Sequence, residues 1–290
     1  MTIGVDIGGT KIKIGKIADG RIVDKVCLPT NPFRSENMII EDIINGINEL
    51  IDYDVTGIGI GVPGLVDEAE GIIYNLNNIP SWQEVHLKKK IESYFSLPVY
   101  LSNDANCFVL GEKLFGKSQG FKNMVGITLG TGLGAGVIIN NNIYSGTLSL
   151  AGEIGGIPYM DHNYEYYCSG KFFQQQHNLS ARELYDNALT GVTLALEIFV
   201  EYGKHLGALI KTVLMAYAPE AVILGGSITK AYTFFKNTMM ETINEFPHKK
   251  VLDNLIINDF TDEDISLLGA AALALAHGKN ITKTSMRYEK

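Results

Sequence analysis

Near the N-terminus the apolar residues Ile3, Val5 and Ile7 alternate with polar or small ones; Ile12 and Ile14 follow, and then a third apolar group, Ile22, Val23 and Val26. A period of two predicts three strands within residues 2–28. Gly8-Gly9-Thr10 joins the first pair as a tight turn expected to need unusual backbone angles, and Asp19-Gly20 joins the second. After Ser35, a candidate cap, the period becomes that of a helix, with Ile39, Ile40, Ile43, Ile44, Ile47 and Leu50 on one face. Gly57-Ile58-Gly59-Ile60-Gly61-Val62 reads as a buried strand ending at Pro63-Gly64, and its alternating glycines imply that another backbone packs close.

Residues 64–82 read as one long connection, and 83–95 as a helix. A short buried strand, Leu97-Pro98-Val99-Tyr100-Leu101, runs into Ser102-Asn103-Asp104-Ala105-Asn106 and a helical pattern to about Phe115. Asn103 and Asp104 are both of a type favoured as a helix cap. Strands follow at 124–129, 133–139 and 143–144, the first two joined by Gly130-Thr131-Gly132. Residues 152–180 read as irregular and rich in Gly, Tyr and Gln, and the chain is then mostly helical to Tyr217. Ala221-Val222-Ile223-Leu224 is a buried strand ending in Gly225-Gly226-Ser227; a helix, a short strand at 255–257 and a helix over 267–276 complete the chain. Two strand–glycine turn–strand units, one at Ile7 to Ile12 and one at Leu129 to Gly134, each open a set of three strands followed by helices. This weak repeat predicts two similar α/β domains facing each other across a cleft. The expected division is 1–118 and 119–265, with a C-terminal helix, about 266–290, packing back on the first.

A chain of 290 residues fits two domains. A formal charge of −8 and the lack of any dense Lys/Arg run argue against nucleic acid and anionic membrane. Cys27, Cys107 and Cys168 are odd in number and far apart, which predicts reduced thiols in a cytoplasmic protein without zinc spacing. The N-terminus carries no signal-peptide pattern, and no uncharged apolar run reaches spanning length.

Two glycine turns facing one cleft make a phosphate cradle, because glycine lets backbone N–H groups approach phosphate oxygens. Thr10 and Thr131 add hydroxyls and Lys11 a cation, and Gly225-Gly226 supplies a third glycine pair after a buried strand. Asp6, just before the first turn, is placed to hold the waters of a Mg²⁺ ion, or alternatively to stabilise the turn. Gly111 to Ser118 matches the P-loop pattern letter for letter, but its first glycine falls inside a helical pattern, so the stretch reads as a helix end with Gly116 as the cap. Glu153 and Glu165, on loops near the cleft, suit paired hydrogen bonds to vicinal hydroxyls of a sugar; two solvated glutamates is the competing reading. Histidines form no ligand cluster, and the aromatic run Tyr164, Tyr166, Tyr167, Phe172 and Phe173 reads as packing or a subunit interface.

In this order the motifs resemble those of the ROK family of bacterial sugar kinases, within the actin-like ATPase, ribonuclease H-like duplicated fold. The resemblance covers nearly the whole chain. It rests on Asp6-Ile7-Gly8-Gly9-Thr10-Lys11, Gly59 to Gly64, Asn78-Ile79-Pro80-Ser81-Trp82, Asn103-Asp104-Ala105-Asn106, Gly130-Thr131-Gly132-Leu133-Gly134, Gly225-Gly226 and Leu268-Gly269-Ala270-Ala271. It implies ATP and Mg²⁺ as cofactors, a hexose acceptor, expected to be glucose at its 6-hydroxyl, Asp104 as general base, and Asn78, Asn103, Glu153 and Glu165 as sugar contacts. It also makes a homodimer an expectation, with the aromatic stretch 164–173 as its interface. N-acetylhexosamines or fructose are alternative acceptors, and a non-catalytic sugar-binding regulator is the alternative of another class. The chain departs from the family pattern where Gly156 stands in place of a histidine and the Cys-rich zinc knuckle is missing, so no structural zinc is expected.

Overall fold

A computed structural model describes residues 1–259 and 262–285; the part of the expected terminal helix beyond Ser285 lies outside the described residues. The chain divides into two compact units, one comprising Met1–Gln119, Ser145–Ala151 and the segment from Asp264, the other Gly120–Tyr144 and Gly152–Glu263.

The first unit begins with the antiparallel meander β1 (Thr2–Ile7), β2 (Lys11–Ala18) and β3 (Arg21–Pro29), followed by α1 (Glu36–Leu50) and β4 (Ile58–Val62). The small sheet β5 (Leu65–Asp67), β6 (Ile72–Tyr74) and β7 (Glu84–Val85) comes next, then α2 (Leu87–Phe95), β8 (Val99–Asn103) and α3 (Asp104–Leu114). The main sheet has the order β3-β2-β1-β4-β8, with β4 parallel to β1 and β8 parallel to β4. The expected long connection at 64–82 therefore contains two strands, which at three residues each are too short to display a period of two.

The second unit repeats this plan. Its meander is β9 (Met124–Leu129), β10 (Leu133–Ile139) and β11 (Asn142–Ile143). A hairpin, β12 (Pro158–Tyr159) and β13 (His162–Asn163), leads into α4 (Tyr164–Cys168), α5 (Gly170–His177), α6 (Ala181–Leu189) and α7 (Thr193–Tyr217). Then come β14 (Ala221–Gly225), α8 (Tyr232–Ile243), α9 (Lys249–Leu252) and β15 (Ile256–Asp259). The order β11-β10-β9-β14-β15 matches the first sheet strand for strand, with β14 parallel to β9 and β15 parallel to β14.

Residues 152–180, expected to be irregular, are mostly ordered. The Asn163 side chain accepts from Tyr166 N at 2.9 Å and caps α4, and Ser169 Oγ accepts from Lys171 N at 3.2 Å and caps α5. Tyr164, Tyr167, Phe172 and Phe173 are buried in the core of their own unit with Phe199 and Tyr202 of α7. The stretch 164–173 therefore does not offer these rings as a subunit interface.

The last helix, α10 (Ile265–Ser285), belongs to the first unit and supplies the close backbone that the alternating glycines imply. A Cβ on Gly59 would fall 1.8 Å from the Ala270 carbonyl oxygen, and one on Gly269 would fall 1.8 Å from that of Cys107. The P-loop look-alike is the end of α3: a Cβ on Gly111 would fall 2.1 Å from the Ile265 carbonyl oxygen, so this glycine serves helix packing. Phe115 rather than Gly116 is the C-cap. Gly116 answers to space, since its Cβ would fall 2.3 Å from Glu112 Oε2. All three cysteines are free, and among the described residues no helix is long and apolar enough to cross a membrane.

Candidate active site

In the first unit the candidate residues sit near the end of β1 and in the turn that follows it, between β6 and β7, and where β8 runs into α3. Asp6 lies opposite Lys13 across the β1–β2 pair. It retains some surface, yet burial pushes its carboxyl up, against the pull of Lys13 and Lys11. Lys13 Nζ reaches Asp264 Oδ1 at 2.9 Å and Lys25 Nζ reaches Oδ2 at 2.6 Å. Desolvation opposes ionisation of Asp264, but these two ammonium groups outweigh it and hold that carboxyl below its ordinary range. The first glycine turn closes through Gly8 N to the Lys11 carbonyl at 2.9 Å, and Thr30 Oγ1 donates to the Gly8 carbonyl at 2.6 Å. Thr10 and Lys11 are exposed at its tip. Neither Gly8 nor Gly9 has a positive φ. The turn needs these glycines for room: a Cβ on Gly9 would stand 3.3 Å from the Asn78 Cβ.

Asn78 is exposed on a turn whose neighbours are anchored. Leu76, Ile79 and Trp82 are buried, and Trp82 N donates to the Ile79 carbonyl at 2.8 Å. Asn103 ends β8 and is the N-cap of α3, its Oδ1 accepting from Ala105 N at 2.9 Å and its Nδ2 donating to the Gly64 carbonyl at 3.1 Å. Asp104 is the first residue of α3, with Oδ1 accepting from the same Ala105 N at 2.8 Å. The choice between the two cap candidates thus falls on Asn103, with Asp104 sharing the N–H at the positive end of the helix.

In the second unit Gly130-Thr131-Gly132 joins β9 to β10, with Gly130 N donating to the Gly132 carbonyl at 3.1 Å. Here too no φ is positive, and space decides: a Cβ on Gly132 would lie 2.9 Å from Glu165 Oε2, and one on Gly130 would meet nothing. Gly134 lies in β10, where its carbonyl receives Thr128 Oγ1 at 3.4 Å. Glu165 is on α4; its Oε2 accepts from Leu133 N at 3.2 Å and its Oε1 pairs with Lys171. Glu153 follows Gly152, whose φ of 97° turns the chain against β10. Glu153 keeps solvent contact, while the protein packed around it and the charge of Glu165 push its carboxyl up. A Cβ on Gly156 would meet nothing within 4 Å, so room is not what keeps a larger side chain from this position. Gly226, with φ 91°, follows β14, and a Cβ there would fall 2.3 Å from the Leu129 carbonyl oxygen. Beside it opens a cavity of about 480 Å³, lined by Tyr185, Phe199, Ser227, Ile228, Lys230 and Arg182 among others.

The ROK family profile matches residues 2–277. The chain belongs to the ROK family. Relatives similar to it include a glucokinase of Halalkalibacterium halodurans, 32% identical over 79% of this chain and 81% of the relative. The xylose repressor of Bacillus subtilis is 27% identical over 95% of this chain and 77% of the repressor. Among solved structures, a ROK glucokinase from Streptomyces griseus in complex with glucose and AMPPNP superposes with a TM-score of 0.81 at 28% identity, covering 95% of this chain and 99% of that one. The fold is the actin-like ATPase fold that ROK kinases share, seen here in the two sheets of identical order.

Sequence reasoning found the glycine turns and the carboxylates of this ROK chain but missed Glu68. Its Oε1 accepts from Ser102 Oγ at 2.5 Å and Ser149 Oγ at 3.1 Å, tying the strand before Asn103 to residues 145–151. Nothing in local periodicity marks it. The cavity residues Tyr185 and Phe199 were likewise invisible, because they are spaced as ordinary helix core. Among the described residues no group of three or more His, Cys, Asp or Glu is arranged to hold a metal ion.

Proposed function

We propose that this ROK protein is an ATP-dependent sugar kinase that phosphorylates a hexose hydroxyl, with the 6-hydroxyl of glucose as the preferred acceptor. The observation that carries the reading is the duplication. The turn at residues 8–11 joins β1 to β2 and Gly130-Thr131-Gly132 joins β9 to β10, at the same place in two sheets of the same order. Each presents backbone N–H groups suited to phosphate. The cavity beside Gly225-Gly226 is of ligand size and flanked by aromatic rings, which fits a nucleobase.

Asp104 takes the proton of the attacking hydroxyl, a role worth about 10²–10⁴ in rate. Asn78, Asn103, Glu153 and Glu165 orient the sugar; two neighbouring carboxylates suit bidentate acceptance from vicinal hydroxyls. Lys11, the two threonine hydroxyls and the turn N–H groups hold the phosphates. Asp6 fits a hard divalent cation: it is an oxygen donor whose ionised form burial disfavours, and a cation's charge would restore it. Mg²⁺ bound there supplies charge neutralisation on the phosphates. The test is a coupled ADP-release assay over a panel containing glucose, fructose, N-acetylglucosamine and N-acetylmannosamine. Release is expected to be fastest with glucose; release fastest with another sugar would move the acceptor assignment. No release with any sugar would leave a sugar-binding protein without catalysis.

A further inference from the structure

Lys171 carries a charge that the kinase reading has not used. It is the second residue of α5, and it is exposed. Its ammonium pairs with Glu165 Oε1, while Oε2 of the same carboxylate accepts from Leu133 N at 3.2 Å. One carboxylate therefore spans the gap between the Lys171 ammonium and the backbone of the second glycine turn. The start of α5 is fixed to that turn directly: Gly170 N donates to the Gly130 carbonyl at 2.7 Å, and a Cβ on Gly170 would stand 3.2 Å from that oxygen. The turn leaves open space at Gly130 and exposes Thr131. An exposed cation, an open glycine turn and a helix N-terminus thus converge within the second unit.

We propose that Lys171 is a catalytic residue that contacts the transferring phosphoryl group, and that its pair with Glu165 is its resting position. The inference rests on the kinase reading and deepens it. A phosphoryl oxygen held at the tip of this turn, by the Thr131 and Gly132 N–H groups, would sit on the side of the turn that the Glu165 carboxylate links to the ammonium. When sugar hydroxyls occupy Glu165, that carboxylate divides its charge between them and Lys171, and the ammonium turns toward the phosphoryl oxygens. The step balances simply. The sugar oxygen bonds to the γ-phosphorus, the bond from phosphorus to the β–γ bridging oxygen breaks with its electron pair left on ADP, and the hydroxyl proton goes to Asp104. Lys171 keeps its proton throughout and stabilises charge on the equatorial oxygens, where a positioned donor is worth most.

The test compares wild type with Lys171→Met and Lys171→Arg. Lys171→Met is expected to lower kcat about 10²–10³-fold. It should also weaken binding of an imido analogue of ATP about tenfold in the presence of sugar. Binding of ADP and of the sugar alone should change little. Lys171→Arg keeps the cation and is expected to recover most of the turnover. The side chain is exposed, so thermal melts of both variants should match wild type. A rise in sugar Kd with unchanged kcat would make Lys171 only a partner of Glu165 and overturn the proposal. So would a Met variant with normal kcat and normal analogue binding. Wild-type protein that releases no ADP with any sugar would overturn the kinase reading itself, and this inference with it.

Discussion

On the proposed kinase reading, replacing Asp104 by Asn separates chemistry from folding, because Asn103 is the cap of α3 and Asp104 is the proposed base. Ala105 N is shared by Asn103 Oδ1 at 2.9 Å and Asp104 Oδ1 at 2.8 Å. An asparagine at 104 retains an amide oxygen for that N–H, and Asn103 remains the cap. What the fold loses is one negative charge at the helix N-terminus, about 0.3–1 kcal/mol. At roughly 2–4 °C per kcal/mol for a chain of this size, the melting temperature should drop by no more than about 4 °C. If Asp104 is the base, as proposed, the reaction should lose about 10²–10⁴ in kcat, or about 2.7–5.5 kcal/mol of barrier at 1.36 kcal/mol per decade. The assay is coupled ADP release at saturating glucose and ATP, with sugar binding followed by calorimetry on the same preparation. A folded Asp104→Asn protein that binds glucose as wild type does and turns over within about fivefold of it would refute the assignment, since a tenfold loss is already below the range for general-base removal.

Three further outcomes follow from particular contacts. Glu68→Ala leaves the buried hydroxyls of Ser102 and Ser149 without their shared acceptor, and should cost about 1–3 kcal/mol in urea unfolding; an unchanged midpoint would mean that water or another acceptor replaces it fully. Glu153 has its carboxyl raised from an ordinary value of 4.5, so its contribution to stability is fully present below that value and is lost as pH rises through the folded value. Glu153→Gln, which cannot ionise, should therefore match wild type near pH 4 and exceed it in stability near pH 8, while losing sugar affinity; equal denaturation midpoints at both pH values would contradict the raised carboxyl. Metal analysis of the purified protein should find no stoichiometric zinc, and one full equivalent would overturn the expectation drawn from the missing knuckle.

The parts of this molecule legible in sequence are those with a long enough period or a strong enough local chemistry. The meander at 2–28, α1 and the strand Ile58–Val62 declared themselves by alternation or by an apolar face, and the glycines of β4 announced the close approach of α10. The three-residue strands β5 and β6 and the five-residue α4 complete fewer than two periods of their patterns, and only their caps and pairings reveal them. The glycine turns were found for a reason that proved incomplete. Their backbone angles are ordinary, and the absent side chains make room for Asn78 at Gly9 and for Glu165 at Gly132. A long-range carboxylate such as Glu68 cannot be found this way, since its two partners lie 34 and 81 residues away.

Glu165, the proposed sugar contact, is held in place by packing of its own unit. Its helix spans only five residues and could not stand alone. Packing fixes it instead. The Tyr164 ring stacks on Tyr159 of the hairpin with centroids 4.4 Å apart, and its hydroxyl meets Thr212 Oγ1 of α7 at 2.7 Å. Tyr159 in turn meets His205 Nδ1 at 3.2 Å, and Tyr167 lies against the same imidazole with its hydroxyl bonded to Asp161. Burial holds His205 below its ordinary value, against the pull of Glu201, so the ring is neutral at neutral pH and accepts or donates without adding charge to the core. Stability supplied by His205 is present above its unfolded value of 6.5 and is lost as pH falls through the lower folded value. His205→Gln should flatten that acid limb in a urea titration between pH 7 and 5, and chelators should leave wild type unchanged. An acid limb that persists unaltered in the variant would remove His205 from the support of Glu165.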